Sequence, residues 1–306
     1  MGLFNGYLKE GPGVDKNEPK KRGIFLYTDI VIHKFSKLLG ANCLLFVTSL
    51  LWIAALYFFS AMFLTNTGIV ERIANAISAD NNTINLEQAR ASITVMLQLL
   101  MAFAIFILWG SGPSSAAYSY VTRCFTRGVP VWVASDGWDK FKENFKQGML
   151  VVIIDAVVLV FGANAMLFYH SFYAATHSFI WMLMTYMMIL VFVIYTLMHP
   201  FIYQIMVTFE CSLVTIYKNA LLISLAKLPG SVMTTAISAA VIVLLFNVMN
   251  PVVAALFLGV FGLIVTRYVT EFYATRVIEK NVLRNMKEKT AAEPVIEYLD
   301  GEDTTE

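Results

Sequence analysis

Six long apolar runs are the feature that most constrains how this sequence can fold. A helix needs about 20 mostly apolar residues to cross about 30 Å of hydrocarbon. Six segments qualify, although the last two are shorter: Leu44–Leu64, Ile93–Gly112, Met149–Phe168, Phe179–Met198, Val232–Met249 and Val252–Tyr268. Only 14% of the 306 residues are charged, against about 25% in soluble domains. We therefore predict an all-α integral membrane protein with six transmembrane helices.

The distribution of lysine and arginine predicts the orientation of these helices. Basic residues concentrate in cytoplasmic loops. With six spans, 20 of the 22 basic residues fall on one side of the membrane, and only Arg72 and Arg90 fall on the other. We therefore predict a multi-pass protein of the plasma (cell) membrane with both termini in the cytoplasm. The predicted organisation is a cytoplasmic N-terminal segment over residues 1–42, a membrane domain over 43–268, and a cytoplasmic tail over 269–306 whose end is disordered.

The N-terminal segment contains one predicted amphipathic helix. Apolar residues recur there at three- and four-residue steps, at Ile24, Tyr27, Val31, Phe35 and Leu38. Polar residues fall on another face. We expect this helix to lie on the inner leaflet and to turn into the first span at Asn42.

A second amphipathic helix is predicted in WDKFKENFKQGML, which precedes the third span. Ser135 or Asp136 can cap its start. The aromatic residues Trp138, Phe141 and Phe145 then follow on one stripe, with Lys142 and Lys146 beside them. Aromatic and basic residues together favour an anionic lipid surface, so we interpret this segment as an interface helix contacting the lipid bilayer. A ligand or partner surface is the alternative, and no nucleic-acid partner is expected because the net charge is only +1.

Asp155 is the acid that lies well inside a predicted span. Intramembrane acids are costly and usually have a partner. Arg267 is the candidate, because the sixth span also ends on the inner side. The pair is either structural or part of a transport or proton-coupling site, and the sequence leaves both interpretations open.

Other chemical signatures are absent from the sequence. The three cysteines have neither CxxC spacing nor neighbouring histidines, so no zinc or disulfide framework is expected. His170 and His177 are predicted in an outer loop and His199 at the inner end of a span, so they cannot share one site. No nucleophile elbow, HExxH, phosphate-binding loop or dinucleotide fingerprint occurs. We predict a protein that is not an enzyme, with no catalytic residue, cofactor or metal.

One region resembles a known family. GPSSAAYSYVTRCFTRGVPVWVASDGWDKFKENFKQGML, residues Gly112–Leu150, is similar to the signature region of the YesL family of bacterial membrane proteins, and Gly11–Lys21 and Tyr217–Val232 look like two other segments of that family. Its biochemical role is undefined. The resemblance implies that the protein occurs together with components of a sugar-uptake ABC transporter. The family has no assigned catalytic residue that could be transferred to this sequence.

Two functions follow as expectations. The first is a non-enzymatic accessory or regulatory protein linked to carbohydrate uptake, with the link taken from the resemblance alone. The alternative is a transporter or permease that moves a small solute through a cavity near Asp155. Transporters usually have interrupted helices and midplane polar residues. Only Gln98, Asp155 and Asn164 stand out in the predicted spans, and no span looks broken at its centre, which favours the accessory function. The oligomeric state is left open.

Overall fold

The apolar runs fold as helices throughout the part of the chain that a computed structural model describes, residues 23–80 and 85–283. In chain order these helices are α1 Ile24–His33, α2 Phe35–Thr48, α3 Leu50–Thr67, α4 Ile69–Asp80, α5 Leu86–Trp109, α6 Pro113–Arg127, α7 Val133–Glu143, α8 Phe145–Thr176, α9 Phe179–Met206, α10 Leu213–Ala226, α11 Leu228–Val248, α12 Pro251–Val260 and α13 Arg267–Ile278. A 3-10 turn, Gly262–Ile264, precedes α13, and a π turn, Glu279–Leu283, follows it. The all-α prediction is confirmed for the described residues.

Five of the described helices are long and apolar enough to cross a membrane: α3, α5, α8, α9 and α11. Two further pairs of helices are long and apolar enough only if each bent pair is counted as one span. The described residues then hold up to seven candidate spans. The first such pair is α1 with α2, bent by 86°, and the second is α12 with the chain from Gly262 to Leu283, bent by 57°. The prediction of a polytopic membrane protein is therefore supported, with five to seven candidate spans.

The sixth apolar run is interrupted, although no break was expected at the centre of any span. Its helix stops at Val260 and resumes at Arg267. Irregular backbone at membrane depth needs partners from the rest of the protein, and three side chains supply them. Asn42 Nδ2 donates to the carbonyl of Val260 at 2.9 Å, Tyr27 OH donates to that of Ile264 at 2.7 Å, and Ser238 Oγ donates to that of Thr266 at 2.8 Å.

These contacts also bear on the predicted division of the chain. Residue 42 lies inside α2, and Asn42 is fully buried against the last span. Beyond residue 268, α13 continues to Ile278 with Glu271 fully buried. The described parts of the predicted N-terminal segment and tail therefore pack onto the membrane helices. The predicted disorder of the tail's end concerns residues outside the described part of the chain.

Two helices are longer than a bilayer requires. At about 1.5 Å per residue, the 32 residues of α8 and the 28 of α9 extend well beyond about 30 Å of hydrocarbon. Both project on the side where α6, α7, α10 and α13 gather. We call these four helices, with the fully buried segment 197–206 of α9, the basal layer. At its centre is α6, of whose 15 residues 12 are buried.

Glycine permits the closest approach between the membrane helices and the basal layer. A Cβ added at Gly148, in the first turn of α8, would lie 2.5 Å from the backbone nitrogen of Pro113. A Cβ at Gly112 would lie 2.5 Å from the carbonyl oxygen of Gly148, and Gly112 also has φ 64°. The turn after α5 therefore makes a direct backbone contact with α8.

This contact predicts that Gly148→Ala destabilises the protein by about 1–3 kcal/mol, because the added methyl group overlaps backbone that cannot rotate away. The matched control is Gly40→Ala in α2, where the nearest atom to an added Cβ is a side-chain carbon of Val133 at 3.9 Å. That control should be neutral or stabilising, since alanine is favoured over glycine inside a helix. Thermal unfolding of both variants in detergent measures the difference, and equal melting temperatures would contradict the assigned contact.

Candidate functional site

The predicted interface helix forms as α7, with a break before α8. It begins at Val133, earlier than predicted, and the Asp136 carboxylate accepts a hydrogen bond from the Trp132 backbone nitrogen at 2.9 Å. The rings of Trp138 and Phe141 stack 5.0 Å apart, and Phe145 follows 5.7 Å from Phe141.

The basic residues of this segment lie beside the aromatic row. Lys142 Nζ lies 5.7 Å from the Trp138 ring centre, and Lys146 is exposed in the first turn of α8. Trp138 and Phe145 are each 46% exposed. The structure therefore brings the five predicted interface residues onto one surface.

Asp155 lies in a buried polar cluster between α8 and α9. Its side chain is fully buried. Asp155 Oδ1 accepts a hydrogen bond from Tyr195 OH at 2.6 Å and lies 3.0 Å from His199 Nε2. Tyr217 OH lies 3.5 Å from Tyr195 OH, which adds α10 to the cluster. We call Asp155, Tyr195, His199 and Tyr217 the Asp–His–Tyr cluster.

The hydrogen bonds of His199 define where its protons lie. Its Nδ1 is 2.9 Å from the carbonyl oxygen of Tyr195, and a carbonyl only accepts, so Nδ1 carries a hydrogen. At Nε2, either an imidazolium donates to an Asp155 carboxylate or a protonated Asp155 donates to a neutral imidazole. In both states one proton is shared between Asp155 and His199. The chemistry this arrangement offers is proton storage or transfer.

Trp109 closes the cluster toward the membrane. Its ring stacks on the His199 imidazole at 5.3 Å and 12°, and it meets the Tyr195 ring edge-on at 4.8 Å. Its Nε1 donates to Thr196 Oγ1 at 2.9 Å. Asp155 Oδ2 has no hydrogen-bond partner among the described residues. An unpartnered buried oxygen is costly, and this atom is free to accept a further hydrogen bond.

Arg267 has a different partner from the one predicted. Its Nη2 lies 2.8 Å from Glu271 Oε1, one helical turn further along α13, and its Nη1 donates to the carbonyl of Ile107 at 2.9 Å. Asp155 pairs with His199 instead. The predicted Asp155–Arg267 pair is thus replaced by two separate pairs, because the break in the sixth span turns Arg267 toward the end of α5.

The Arg267–Glu271 pair ties the basal layer together. Glu271 Oε2 accepts hydrogen bonds from Ser119 Oγ and Gln204 Nε2, each at 2.8 Å. The guanidinium of Arg267 lies 5.4 Å from the Tyr203 ring centre. Helices α5, α6, α9 and α13 therefore meet at one buried ion pair, and removing one partner of such a pair typically costs about 3–5 kcal/mol.

The lengths of α8 and α9 define where the Asp–His–Tyr cluster lies along them. The part of α8 from Asp155 to its end at Thr176 makes about six helical turns, and so does the part of α9 from its start at Phe179 to His199. At about 5.4 Å per turn, both side chains are about 30 Å from the far ends of their helices, which is the full thickness of the hydrocarbon. The cluster therefore lies in the halves of α8 and α9 that adjoin the basal layer.

An apolar cavity of about 420 Å³ lies on the membrane side of Trp109. Trp109, Thr196 and Leu159 line it. Leu159 is one helical turn beyond Asp155. Since Trp109 also stacks on His199, its ring separates the cavity from the Asp–His–Tyr cluster. Within residues 23–80 and 85–283, no group of three or more His, Cys, Asp or Glu side chains could hold a metal ion.

Sequence reasoning missed His199, Tyr195 and Glu271 as partners. The sequence did contain a pattern that could have identified His199. In an antiparallel hairpin, residues equally far from the turn lie opposite each other, and Asp155 and His199 are almost equally far from the turn at His177 and Ser178. A local signal was also present for Glu271, because it lies four residues after Arg267 and such residues are neighbours on one helix face.

Comparison with known proteins gives one match. The family model described as "Protein of unknown function, DUF624" matches residues 92–164, about a quarter of the chain. This region contains Gly112, α7, Gly148 and Asp155. No curated protein and no solved structure matches the chain. The chain is therefore similar, over this region, to a family of unknown function, which agrees with the coarse expectation from the Gly112–Leu150 segment; the YesL name stays a prediction.

The Asp155–His199 contact predicts energetic coupling. In a double-mutant cycle of Asp155→Asn and His199→Gln, the double variant should be destabilised by about 0.5–3 kcal/mol less than the sum of the two single variants. The exchange Asp155→Arg with Arg267→Asp should give no rescue relative to the single variants, because those residues do not pair with each other. Unfolding in detergent measures both, and rescue by the exchange would overturn the assigned pairs.

Proposed function

We propose that the protein is a plasma-membrane protein with six spans and both termini in the cytoplasm. In this arrangement α1 and α2 lie at the inner face, and α3, α5, α8, α9, α11 and the broken segment 251–267, which leads from α12 to the start of α13, cross the bilayer. The support is the distribution of charge, since 20 of the 22 basic residues then lie on the side of the basal layer. The exposed aromatic and basic surface of α7 suits the inner membrane face.

Cysteine labelling tests this orientation. In a variant without Cys43, Cys124 and Cys211, one cysteine is introduced at Thr176 or at Asp139. Both positions are exposed, at the end of α8 and on α7. A membrane-impermeant maleimide should label Thr176→Cys in intact cells and Asp139→Cys only after permeabilisation. Labelling of Asp139→Cys in intact cells would reverse the proposed topology.

The function we propose is that of a non-enzymatic accessory or regulatory membrane protein. One observation carries it: the buried polar residues of the basal layer and its boundary bind one another. Glu271 is held by Arg267, Ser119 and Gln204, and Asp155 by His199 and Tyr195. The apolar cavity is lined at one side by Trp109, whose ring stacks on His199. Such packing suits a rigid platform better than a solute pathway.

The surface that this platform offers to a partner is formed by α7 and the start of α8. Trp138 and Lys142 of α7 and Phe145 of α8 are exposed there, and tryptophan is enriched at binding hot spots. By resemblance to the YesL family, the expected partners are components of a sugar-uptake ABC transporter. The carbohydrate link rests on that resemblance alone.

Copurification tests the proposed role. After gentle detergent extraction from native membranes, subunits of a sugar transporter should be recovered with the protein. Recovery should fall in Trp138→Ala with Lys142→Ala, and remain unchanged in Phe58→Ala, which removes an exposed aromatic residue from α3. Purification of the protein without partners, together with solute flux in liposomes, would overturn the accessory role.

A transporter is the second candidate, and two observations favour it. The last span is interrupted between Val260 and Arg267, as transporter helices often are at binding sites. The unpartnered oxygen of Asp155 and its shared proton with His199 would suit proton coupling. If the protein is a transporter, solute flux in liposomes should depend on pH and be lost in Asp155→Asn. If it is an accessory protein, neither the wild-type protein nor Asp155→Asn should produce solute flux.

A further inference from the structure

A large cleft opens on the side of the protein that is opposite the basal layer. It has a volume of about 1340 Å³ and lies between the α3–α4 corner and the outer halves of α8 and α9. Gly68, with φ 61°, allows the sharp corner after α3. One face of α4 packs onto α5 through Val70 and Ala74, so the adjacent face, with Ile69 and Arg72, lines the cleft.

The cleft adjoins the apolar cavity at Trp109. Phe63, Met166 and Ile189 line both. Along α8 the combined space runs from Ala175 to Leu159, a length of about 24 Å at 1.5 Å per residue. That length exceeds one leaflet of hydrocarbon, which is about half of 30 Å.

The polarity of this space changes along its length. Its outer end is lined by Arg72, His170, Asn66 and Ser171, while its inner end is almost entirely apolar. Only two basic residues are expected on this side of the membrane. Among the described residues, Arg90 Nη1 lies 3.7 Å from Glu87 Oε1, whereas Arg72 has no acidic partner. Within that part of the chain, the cleft thus has an unpaired cation at its mouth and a hydrocarbon-like interior.

We propose that the cleft binds one anionic phospholipid from the adjacent leaflet, with the phosphate at Arg72 and one acyl chain reaching Trp109. Arginine recognises phosphate through several parallel N–H donors. The inner end offers few hydrogen-bonding groups to a polar solute, because Trp109 Nε1 already donates to Thr196 and the remaining polar lining residue is Thr235. An acyl chain is the occupant that the bilayer supplies at this depth.

Quenching of Trp109 fluorescence tests the proposal. The protein is placed in vesicles of equal parts phosphatidylglycerol and phosphatidylcholine, and only one of the two lipids carries brominated chains. The signal of Trp109 is the difference between the wild-type protein and Trp109→Phe. Quenching by brominated phosphatidylglycerol should exceed quenching by brominated phosphatidylcholine about fivefold, the effect of one basic residue on an anionic lipid.

Two arginine variants separate specific binding from ordinary lipid contact. Arg72→Ala should abolish the preference and Arg72→Lys should keep part of it. Arg90→Ala, which removes the other outer cation, should leave the preference intact. Because Arg72 is exposed, its replacement should not lower the melting temperature. Equal quenching by the two lipids, no quenching of Trp109, or a preference that survives Arg72→Ala would each overturn the proposal.

Discussion

The backbone of Gly112 and that of Gly148 approach so closely that one methyl group at either position would overlap the opposite chain. This contact sets the distance between α8 and the turn that follows α5. Tyr203 OH accepts a hydrogen bond from the Gly112 nitrogen at 3.1 Å, and Trp52 Nε1 donates to the Gly110 carbonyl at 2.9 Å. The turn is therefore held on three sides. With α8 fixed at its first turn, Asp155 is placed two turns later, where α9 presents His199.

Burying charges at this boundary is costly, and the structure limits the cost by pairing each of them. An isolated ion in a low-dielectric interior is strongly unfavourable, and a buried ion pair contributes little net stability even when well made. Such pairs instead restrict how the helices can pack against one another. Arg267 donates to the carbonyl of Ile107 near the end of α5, and Glu271 accepts hydrogen bonds from Ser119 of α6 and Gln204 of α9, so α13 cannot slide along its neighbours without breaking hydrogen bonds to two buried charges. The close glycine contact and the ion pairs thus determine one packing of the basal layer on the membrane helices.

The sequence predicted what depends on local composition and failed where tertiary contacts decide. The apolar runs identified the long helices, and the aromatic and basic residues around Trp138 identified α7, because hydrophobic periodicity is a local property. The partner of Asp155 was predicted wrongly, since the sixth apolar run was treated as one straight helix ending at Arg267. The break in it is stabilised by Asn42 and Tyr27, which come from the opposite end of the described chain. No local pattern contains that information.

Trp109 is the side chain that joins the cleft and the Asp–His–Tyr cluster. One part of its ring lines the apolar cavity, and its face stacks on the His199 imidazole. A ligand shifts a conformational equilibrium only if it binds one state better than the other. An acyl chain that packs against Trp109 in its stacked position favours that position over one in which the ring leaves His199. The lipid proposed for the cleft would therefore contact the same indole ring that covers the Asp–His–Tyr cluster.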